Sequence, residues 1–544
     1  MTARRCRVSP APCLHWEGKH DPSPPRVCAR RELLKFEAHT PAGMLIRADA
    51  RDAAAHLLES LESRVNLIYL DPPFLVGSDF LATVPGPARE DARCFAFSDR
   101  WPGQGAYLNL MRDVLVLSHR MLCDDGVIYV HVDQRASHWI RCIMQEIFGV
   151  SRDRGVIAWH MGNGVKARRQ WGCAHNDILC FSKGQHFRLR SDRAALREPF
   201  AEGSVKTHFR SVDEYGRRYR LRQINGRDYR YYADEGRAVG SVWTDCPSMS
   251  ARSPILDQST GYPTQKPERL LERIIQASSD PGDLVVDLFC GSGTTPAVAQ
   301  RLGRRWIAGD AGRLAVETTL ARLLALEIPP GVEVIDLACH DPDSLLRLTR
   351  LLQLQHIETE PRLVRGRLDR HRVLVTNQPG KAESPDCDWA FLIDSTSAPI
   401  TDPPASHARV WRCHPESPSS ASLGPVVFAS DFALDARLDA DGRLQWSICA
   451  QHLRQNRDGQ LEAADVKPDS VVSWALLAGG RLFAAGRGRP PERIDPEWRC
   501  ADSGSALTLR VVDAYGFDGL CAVEHDRPHV SVPSRRTRPS RRAL

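Results

Sequence analysis

Between Gly43 and about Leu326, short apolar runs alternate with stretches of helical period, and two of the runs end in an aspartate followed by a turn. That alternation restricts this part of the chain to an α/β architecture built on a mostly parallel sheet. Val65–Leu70 reads as a buried strand that stops at Asp71-Pro72-Pro73, and Leu108, Met111, Leu115 and Leu122 then recur at helical spacing. A turn at Asp124-Asp125-Gly126, a strand over Val127–Val132 and a helix over Ser137–Phe148 follow. After an irregular interruption the order returns: helix Glu268–Ala277, strand Leu284–Leu288, helix Thr294–Leu302, strand Trp306–Gly309 and helix Arg313–Leu326. Ile328-Pro329-Pro330 predicts a boundary, because proline cannot continue a helix.

The division expected is an N-terminal extension (1–40), partly irregular; an α/β domain (41–327); a β-rich accessory domain (328–530); and an Arg-rich disordered tail (531–544). Short runs such as Leu444–Cys449, Val471–Leu477 and Leu507–Val512, set apart by Gly and Asp turns, carry the β assignment. A hydrophobic share of 42% supports packed cores, and no run approaches the ~18–20 apolar residues of a membrane span. The basic, proline-dotted N-terminus lacks a secretory core, so the cytoplasm is the expected location. The 16 Cys include no C-x-x-C pair, and Cys6, Cys13, His15, His20 and Cys28 match no usual zinc spacing; no metal is expected.

Two strand ends carry the chemistry. In Val285–Thr295 (VVDLFCGSGTT) an apolar strand ends in Asp287, Gly291 and Gly293 form a turn, and hydroxyl residues open a helix. Asp310 ends the next strand, where α/β nucleotide folds place the acid that accepts ribose hydroxyls. There is no G-x-G-x-x-G and no lysine after the glycines, so a polyphosphate is disfavoured; S-adenosylmethionine, a nucleoside without one, fits. The other strand ends in Asp71-Pro72-Pro73-Phe74. Asp71 and the Pro72 carbonyl can each accept an N–H of an exocyclic amine while Phe74 stacks on its ring. Taken alone, either motif is also compatible with an ordinary structural turn.

Together these motifs resemble the site-specific DNA amino-methyltransferases (N6-adenine and N4-cytosine), in the subgroup where D-P-P-[YF] precedes the cofactor loop, as in type III modification subunits. Trp16-Glu17-Gly18-Lys19, Leu67–Phe80, Phe97–Trp101, Ile128–Asp133, His175–Leu179 and Gly261–Ala277 extend the similarity over roughly residues 14–326. The resemblance implies a Rossmann-like S-adenosylmethionine-dependent sheet with permuted strand order. Asp71, Pro72, Pro73 and Phe74 would be catalytic, and Asp287, Phe289, Gly291, Gly293, Asp310, Thr264 and Lys266 would hold the cofactor. Lys266 could pair the cofactor's carboxylate or be a solvated lysine at a helix start. His131 and Asp133 border the base pocket or pair with each other, and His175 and Asp177 carry the same two readings. Cys290 reads as a small space-filler.

One departure stands out: where the family usually has a polar pair such as Asn-Thr after D-P-P-F, this chain has Leu75-Val76. The implied reaction is methylation of adenine N6 in double-stranded DNA after base flipping. Cytosine N4 is the alternative within the class, and a cofactor- and DNA-binding subunit with impaired catalysis is the alternative outside it. A restriction nuclease subunit and a second copy of the chain are candidate partners.

Net charge is only +6, but 65 of the 73 basic residues are Arg, and residues 187–237 hold thirteen Lys and Arg against eight Asp and Glu. Five of the ten Tyr lie in this insert. Arg217, Arg218, Arg220, Arg222, Arg227, Arg230 and Tyr229 are therefore candidates for DNA contact, by phosphate and base-edge hydrogen bonds and by stacking. A solvated hairpin with Tyr packed on its inner face is the competing reading.

Overall fold

A computed structural model describes residues 13–20, 29–36, 43–84, 92–162, 171–249, 253–328 and 330–338, and beyond them chiefly strand segments between 355 and 525. Cys6, Cys28 and the tail 531–544 lie outside the described residues. In chain order the first elements are β1 (Ala29–Phe36), β2 (Gly43–Arg47), α1 (Ala50–Leu61), β3 (Val65–Leu70), β4 (Asp79–Val84) and β5 (Ala92–Ser98). Next come α2 (Gln104–Met121), β6 (Leu122–Val132), α3 (Ser137–Phe148), β7 (Asp153–His160) and β8 (His175–Ser182). The insert contributes β9 (Arg197–Glu198), α4 (Glu202–His208), β10 (Ser211–Val212), β11 (Arg218–Ile224), β12 (Arg227–Tyr232) and β13 (Arg237–Ala238). β14 (Val242–Trp243), α5 (Glu268–Ser278), β15 (Leu284–Asp287), α6 (Thr294–Arg301), β16 (Arg305–Asp310), α7 (Arg313–Leu324) and β17 (Val332–Ala338) complete the α/β part.

Ten strands form one sheet in the order β1-β17-β2-β16-β15-β3-β6-β8-β7-β14. The centre, from β17 through β6, is parallel, whereas β8 runs against both its neighbours and β1 against β17. A parallel sheet must be covered on both faces, so its strands read as continuous apolar runs. In β3, Ile68 and Leu70 face the core shared with α1, α2 and α3, and Leu67 and Tyr69 face the core shared with α5, α6 and α7. This is the α/β methyltransferase fold in permuted order: β3 and β15, far apart in sequence, lie side by side with Ile68 opposite Val286.

The boundary expected at 328 does not fall there. Val332–Ala338 returns to the sheet as β17, parallel to β2, and β1 from the N-terminal extension pairs with its outer edge. A buried ion pair, Arg47–Asp336, ties β2 to β17. Prolines 329 and 330 stop the helix but say nothing about which sheet the next strand joins. The turn expected at Asp124-Asp125-Gly126 is instead part of β6, which runs unbroken from Leu122 with a register shift against β3.

Past residue 338 the described strands form an eight-stranded sheet, from Gln355–Glu360 to Leu461–Asp465, and a six-stranded sheet that includes Val471–Ala478, Arg481–Arg487 and Leu507–Asp513. Gln355–Glu360, Leu363–Leu368 and His371–Thr376 are strands that the sequence patterns did not single out. No helix among the described residues is long and apolar enough to cross a membrane.

Candidate active site

Three acids end up at one edge of the sheet because three adjacent parallel strands end there: Asp71 follows β3, Asp287 closes β15 and Asp310 closes β16. Ligands of open α/β sheets bind outside this carboxyl edge. The alternation that turns Tyr69 toward the α5 side turns Asp71 the same way, toward Lys266 just ahead of α5. Lys266 donates to Asp71 Oδ2 and, at 3.2 Å, to the Thr264 carbonyl. Its side chain is 9% exposed, so it is neither a solvated helix-start residue nor directed away from the acid. Burial raises the Asp71 pKa, and the Lys266 ammonium opposes that rise. Asp71 Oδ1 is buried and finds no hydrogen-bond partner among the described residues.

The loop after Asp71 is held by its backbone. The N–H groups of Phe74, Leu75 and Val76 donate to the Asp99 carboxylate at 3.1, 3.2 and 2.7 Å, and Trp101 Nε1 donates to it at 2.8 Å. Leu75 sits in the left-handed region at φ 61°, which turns consecutive N–H groups toward one anion. Asp99 is thus the anchor of a loop in which Leu75 and Val76 supply no polar side chain. Behind Phe74, His131 stacks at 5.8 Å between ring centroids, with Lys266 Nζ 5.3 Å from the Phe74 ring centroid. His131 bonds Tyr69 Oη at 2.9 Å and Asn176 at 3.0 Å, and burial, reinforced by Lys266, holds its pKa well below the usual value. His131 thus packs behind Phe74, and Asp133 binds Arg135. His175 and Asp177 lie 3.6 Å apart, and Ser137 donates to Asp177.

At the second motif Asp287 accepts the Thr295 hydroxyl at 2.5 Å and the Phe289 N–H at 3.0 Å. Asp310 accepts the N–H groups of Gly291 and Gly312 at 2.9 and 2.8 Å. Burial pushes Asp287 up to about 7 and Asp310 up to about 6 despite these donors, with the neighbouring acids adding to the rise at Asp287. Gly291 and Gly293 have φ of 50° and 75°; a Cβ on Gly293 would lie 2.7 Å from Thr319 of α7, and one on Gly291 would press on Tyr262 at 3.3 Å. Cys290 is buried with its pKa pushed well up by desolvation, which suits a space-filler and not a nucleophile.

One cavity of about 320 Å³ connects the two motifs, reaching from Asp71 and Phe74 past Thr264 and Phe289 to Gly291 and Asp310. Asp49, Phe97 and Tyr262 also line it; the sequence marks Phe97 and Tyr262 only as parts of resembling segments, with no role, and does not mark Asp49. Asp49 was findable, since it follows β2 as the other acids follow their strands. Phe97 stands between Phe80, at 4.6 Å, and Tyr262, at 6.4 Å, forming an aromatic wall that only the β4–β5 hairpin assembles.

The insert lies outside this cavity as a three-stranded sheet of β10, β11 and β12. Register places Arg218, Arg220, Arg222 and Arg227 on one face with Tyr229 and Tyr231, and Arg230 on the other with Tyr219 and Tyr232. Arg217 is paired with Asp234 and Glu235 over the Tyr232 ring, Arg220 lies over Phe209 and Tyr231, and Arg230 lies over Tyr219. Arg218, Arg222, Arg227 and Tyr229 are exposed. At the other end of the chain, Cys13 meets Lys19 and Glu146, and no metal-holding group of His, Cys, Asp or Glu occurs among the described residues.

Replacing Asp99 by Ala removes a carboxylate acceptor shared by three amides, each such bond contributing roughly 1 kcal/mol or more. Amide exchange at Phe74, Leu75 and Val76 should then accelerate by roughly tenfold or more, with Asp99→Asn between the two; unchanged protection would mean that the loop is held elsewhere. The acids make a second prediction. Asp310 has a folded-state pKa of about 6 against an ordinary 3.8, so the folded protein keeps a proton that the unfolded chain releases, and its contribution to stability falls as pH rises from about 4 to about 6. Asp310→Asn should be the more stable protein at pH 8, by on the order of 2 kcal/mol in denaturant titrations, and should lose that advantage toward pH 4.

Comparison with known proteins places this geometry. Residues 65–320 match the profile of the DNA methylase family N6_N4_Mtase. The type II methyltransferase M.EcaI of Enterobacter cloacae is 30% identical over 317 residues, 49% of this chain and 66% of its own length. The DNA adenine methyltransferase YhdJ of Escherichia coli K12 is 28% identical over 50% of this chain and 80% of its own. The type II methyltransferase M.HpaI of Haemophilus parainfluenzae is 28% identical over 48% and 69%. All three matches leave about half of this chain uncovered. Its α/β part carries the strand-end motifs on adjacent strands around one cavity, and through that part the chain belongs to the N6/N4 DNA methylase family.

Proposed function

We propose that the protein transfers a methyl group from S-adenosylmethionine to the exocyclic N6 of an adenine flipped out of double-stranded DNA. The observation that carries this reading is the state of Asp71. One carboxylate oxygen is occupied by Lys266, and the other is buried without a partner among the described residues, at the cavity that leads to Asp310. A buried acceptor left open is costly unless a donor arrives, and the amino group of a base is such a donor.

The cavity residues fit the cofactor. Asp310 presents a carboxylate for ribose hydroxyls, Gly291 leaves room beside Tyr262, and Thr264, Phe289 and Asp287 line the path toward Asp71. When bound, S-adenosylmethionine supplies an electrophilic methyl group on a sulfonium centre. The chain supplies orientation. Asp71 Oδ1 and the Pro72 carbonyl accept the two N–H groups of the amine, which draws its lone pair out of conjugation and aims it. Lys266 favours the ionised form of Asp71, and therefore its acceptor role, against the desolvation that would protonate it. Phe74, fixed by the Asp99 cradle and backed by neutral His131, provides the stacking surface. Asp71 takes up the proton that the nitrogen loses on methylation.

Adenine is favoured because D-P-P marks adenine enzymes in the resembling family, where N4 enzymes more often begin the motif with Ser, and because the relative YhdJ is named a DNA adenine methyltransferase. Cytosine N4 would use the same acceptors. The impaired-catalysis alternative rests on Leu75-Val76; the Asp99 carboxylate, accepting three backbone N–H groups of that loop, supports the active reading. For DNA contact, the exposed Arg218, Arg222, Arg227 and Tyr229 share one face of the insert and the exposed Arg230 stands on the other, whereas Arg217 and Arg220 are half-buried and build the hairpin.

Genomic DNA treated with the purified protein and S-adenosylmethionine, then digested to nucleosides, should contain N6-methyladenine. N4-methylcytosine would select the alternative base, and neither product with intact cofactor binding would leave only the impaired subunit. Asp71→Ala should abolish the product while leaving cofactor affinity within about twofold, since the lost acceptor serves the base. Arg218, Arg222 and Arg227 replaced together by Ala should flatten the salt dependence of DNA binding by about three units of slope. Arg217→Ala should leave that slope nearly unchanged, since its guanidinium is already paired with Asp234 and Glu235.

A further inference from the structure

The half of the chain that the methylase relatives do not cover touches the α/β part at a particular place. In the strand Leu507–Asp513, Leu509 and Val511 are buried within the six-stranded sheet's own core. Alternation puts Arg510 on the opposite face, where a sequence pattern predicts a solvated side chain. Arg510 is instead buried, 6% exposed, against α7. Its two terminal nitrogens donate to the two oxygens of Glu317 at 2.9 and 2.6 Å, and Glu317 is buried as well. Arg481–Arg487, two strands away at the edge of the same sheet, also packs against α7.

On α7, Glu317 and Thr319 are two residues apart, about 200° around a helix, so they face opposite flanks. Thr319 lies on the flank toward the cofactor turn: its hydroxyl donates to the Gly291 carbonyl at 3.0 Å, and its atoms fill the space where Gly293 would carry a Cβ. At its start, α7 is also joined to the cavity by Gly312, whose N–H binds Asp310. A shift of α7 therefore moves the Gly291–Gly293 backbone and the acid that faces it.

We propose that Arg510 is a positioning residue for the cofactor turn, gripping Glu317 so that α7 presents Thr319 to Gly291 and Gly293. This rests on the reading that S-adenosylmethionine binds at that turn. The C-terminal half thus completes the cofactor site without touching the cofactor. A fork between two buried ions is directional, and removing one partner leaves the other charged and buried, which forces local rearrangement; an apolar replacement of both partners is tolerated.

The test is calorimetric titration of the full-length protein with S-adenosylmethionine, with single-turnover methylation at saturating cofactor measured alongside. Arg510→Met should weaken cofactor binding by about tenfold, within the roughly 5–150-fold span of such couplings, with the saturated rate unchanged. Arg510→Lys, which keeps the charge but loses the fork, should fall between the two. Arg510→Met combined with Glu317→Leu should return affinity to within about threefold of wild type. It also serves as the informative variant if the single substitution does not fold. Cofactor affinity unchanged in Arg510→Met and Arg510→Lys despite a lowered melting temperature overturns the proposal, as does a double variant that folds yet stays weak. Wild-type protein that binds no S-adenosylmethionine would fail the functional reading itself.

Discussion

Asp287, buried, stands between the half-buried Asp71 and Asp310 at the ends of three adjacent strands, and each is held there by a different kind of donor. Asp71 has the Lys266 ammonium, Asp287 a hydroxyl and one amide, and Asp310 two glycine amides. Desolvation outweighs these donors at Asp287 and Asp310, which rise to about 7 and about 6. The ligand-free site thus holds unfavourable charge that bound hydroxyls and amines can relieve. Much of the surrounding architecture serves to keep these acids in place: α5 brings Lys266, α6 brings Thr295, and α7 fastens the glycine turn that faces Asp310.

How much of this was legible in the sequence depends on whether a residue acts through its own element or through a distant one. Strand-end acids are legible because a buried parallel strand is an apolar run, and a carboxylate at its end marks where that run stops at the ligand-facing edge of the sheet. Asp71, Asp287 and Asp310 are found that way, and the helix limits around them agree within one or two residues. Asp99 gives no such signal. It reads as one polar residue after a short aromatic strand, and its role arises only when the β4–β5 hairpin folds back on the loop it anchors. Lys266 was visible as a candidate, but its partner was not, because the ion pair joins residues on opposite sides of the permutation.

The apparent defect at Leu75-Val76 illustrates the same division. A motif compared position by position registers the loss of two polar side chains. The loop needs fixed backbone direction, and a left-handed Leu75 with three amides on one carboxylate supplies it. The insert errs the other way: six arginines look equivalent in sequence, yet ion pairs and aromatic neighbours bury Arg217 and Arg220 partly in the hairpin, and strand register leaves Arg218, Arg222 and Arg227 exposed on one face and Arg230 on the other.

Domain limits were the least legible feature, for a related reason. Prolines 329 and 330 mark where α7 must end, and a reader who equates a break in the helix with a break in the domain assigns Val332–Ala338 to the next unit. The strand instead extends the catalytic sheet and receives β1 on its far side, so the α/β part closes only with residues from both sides of the boundaries drawn from sequence. Arg510 carries this further, since a residue deep in the β-rich half is buried against α7. A helix with one flank on the cofactor turn and the other on a second sheet cannot respond to either alone. That geometry makes the C-terminal half, which lies outside the residues 65–320 matched by the family profile, a structural constraint on the glycine turn.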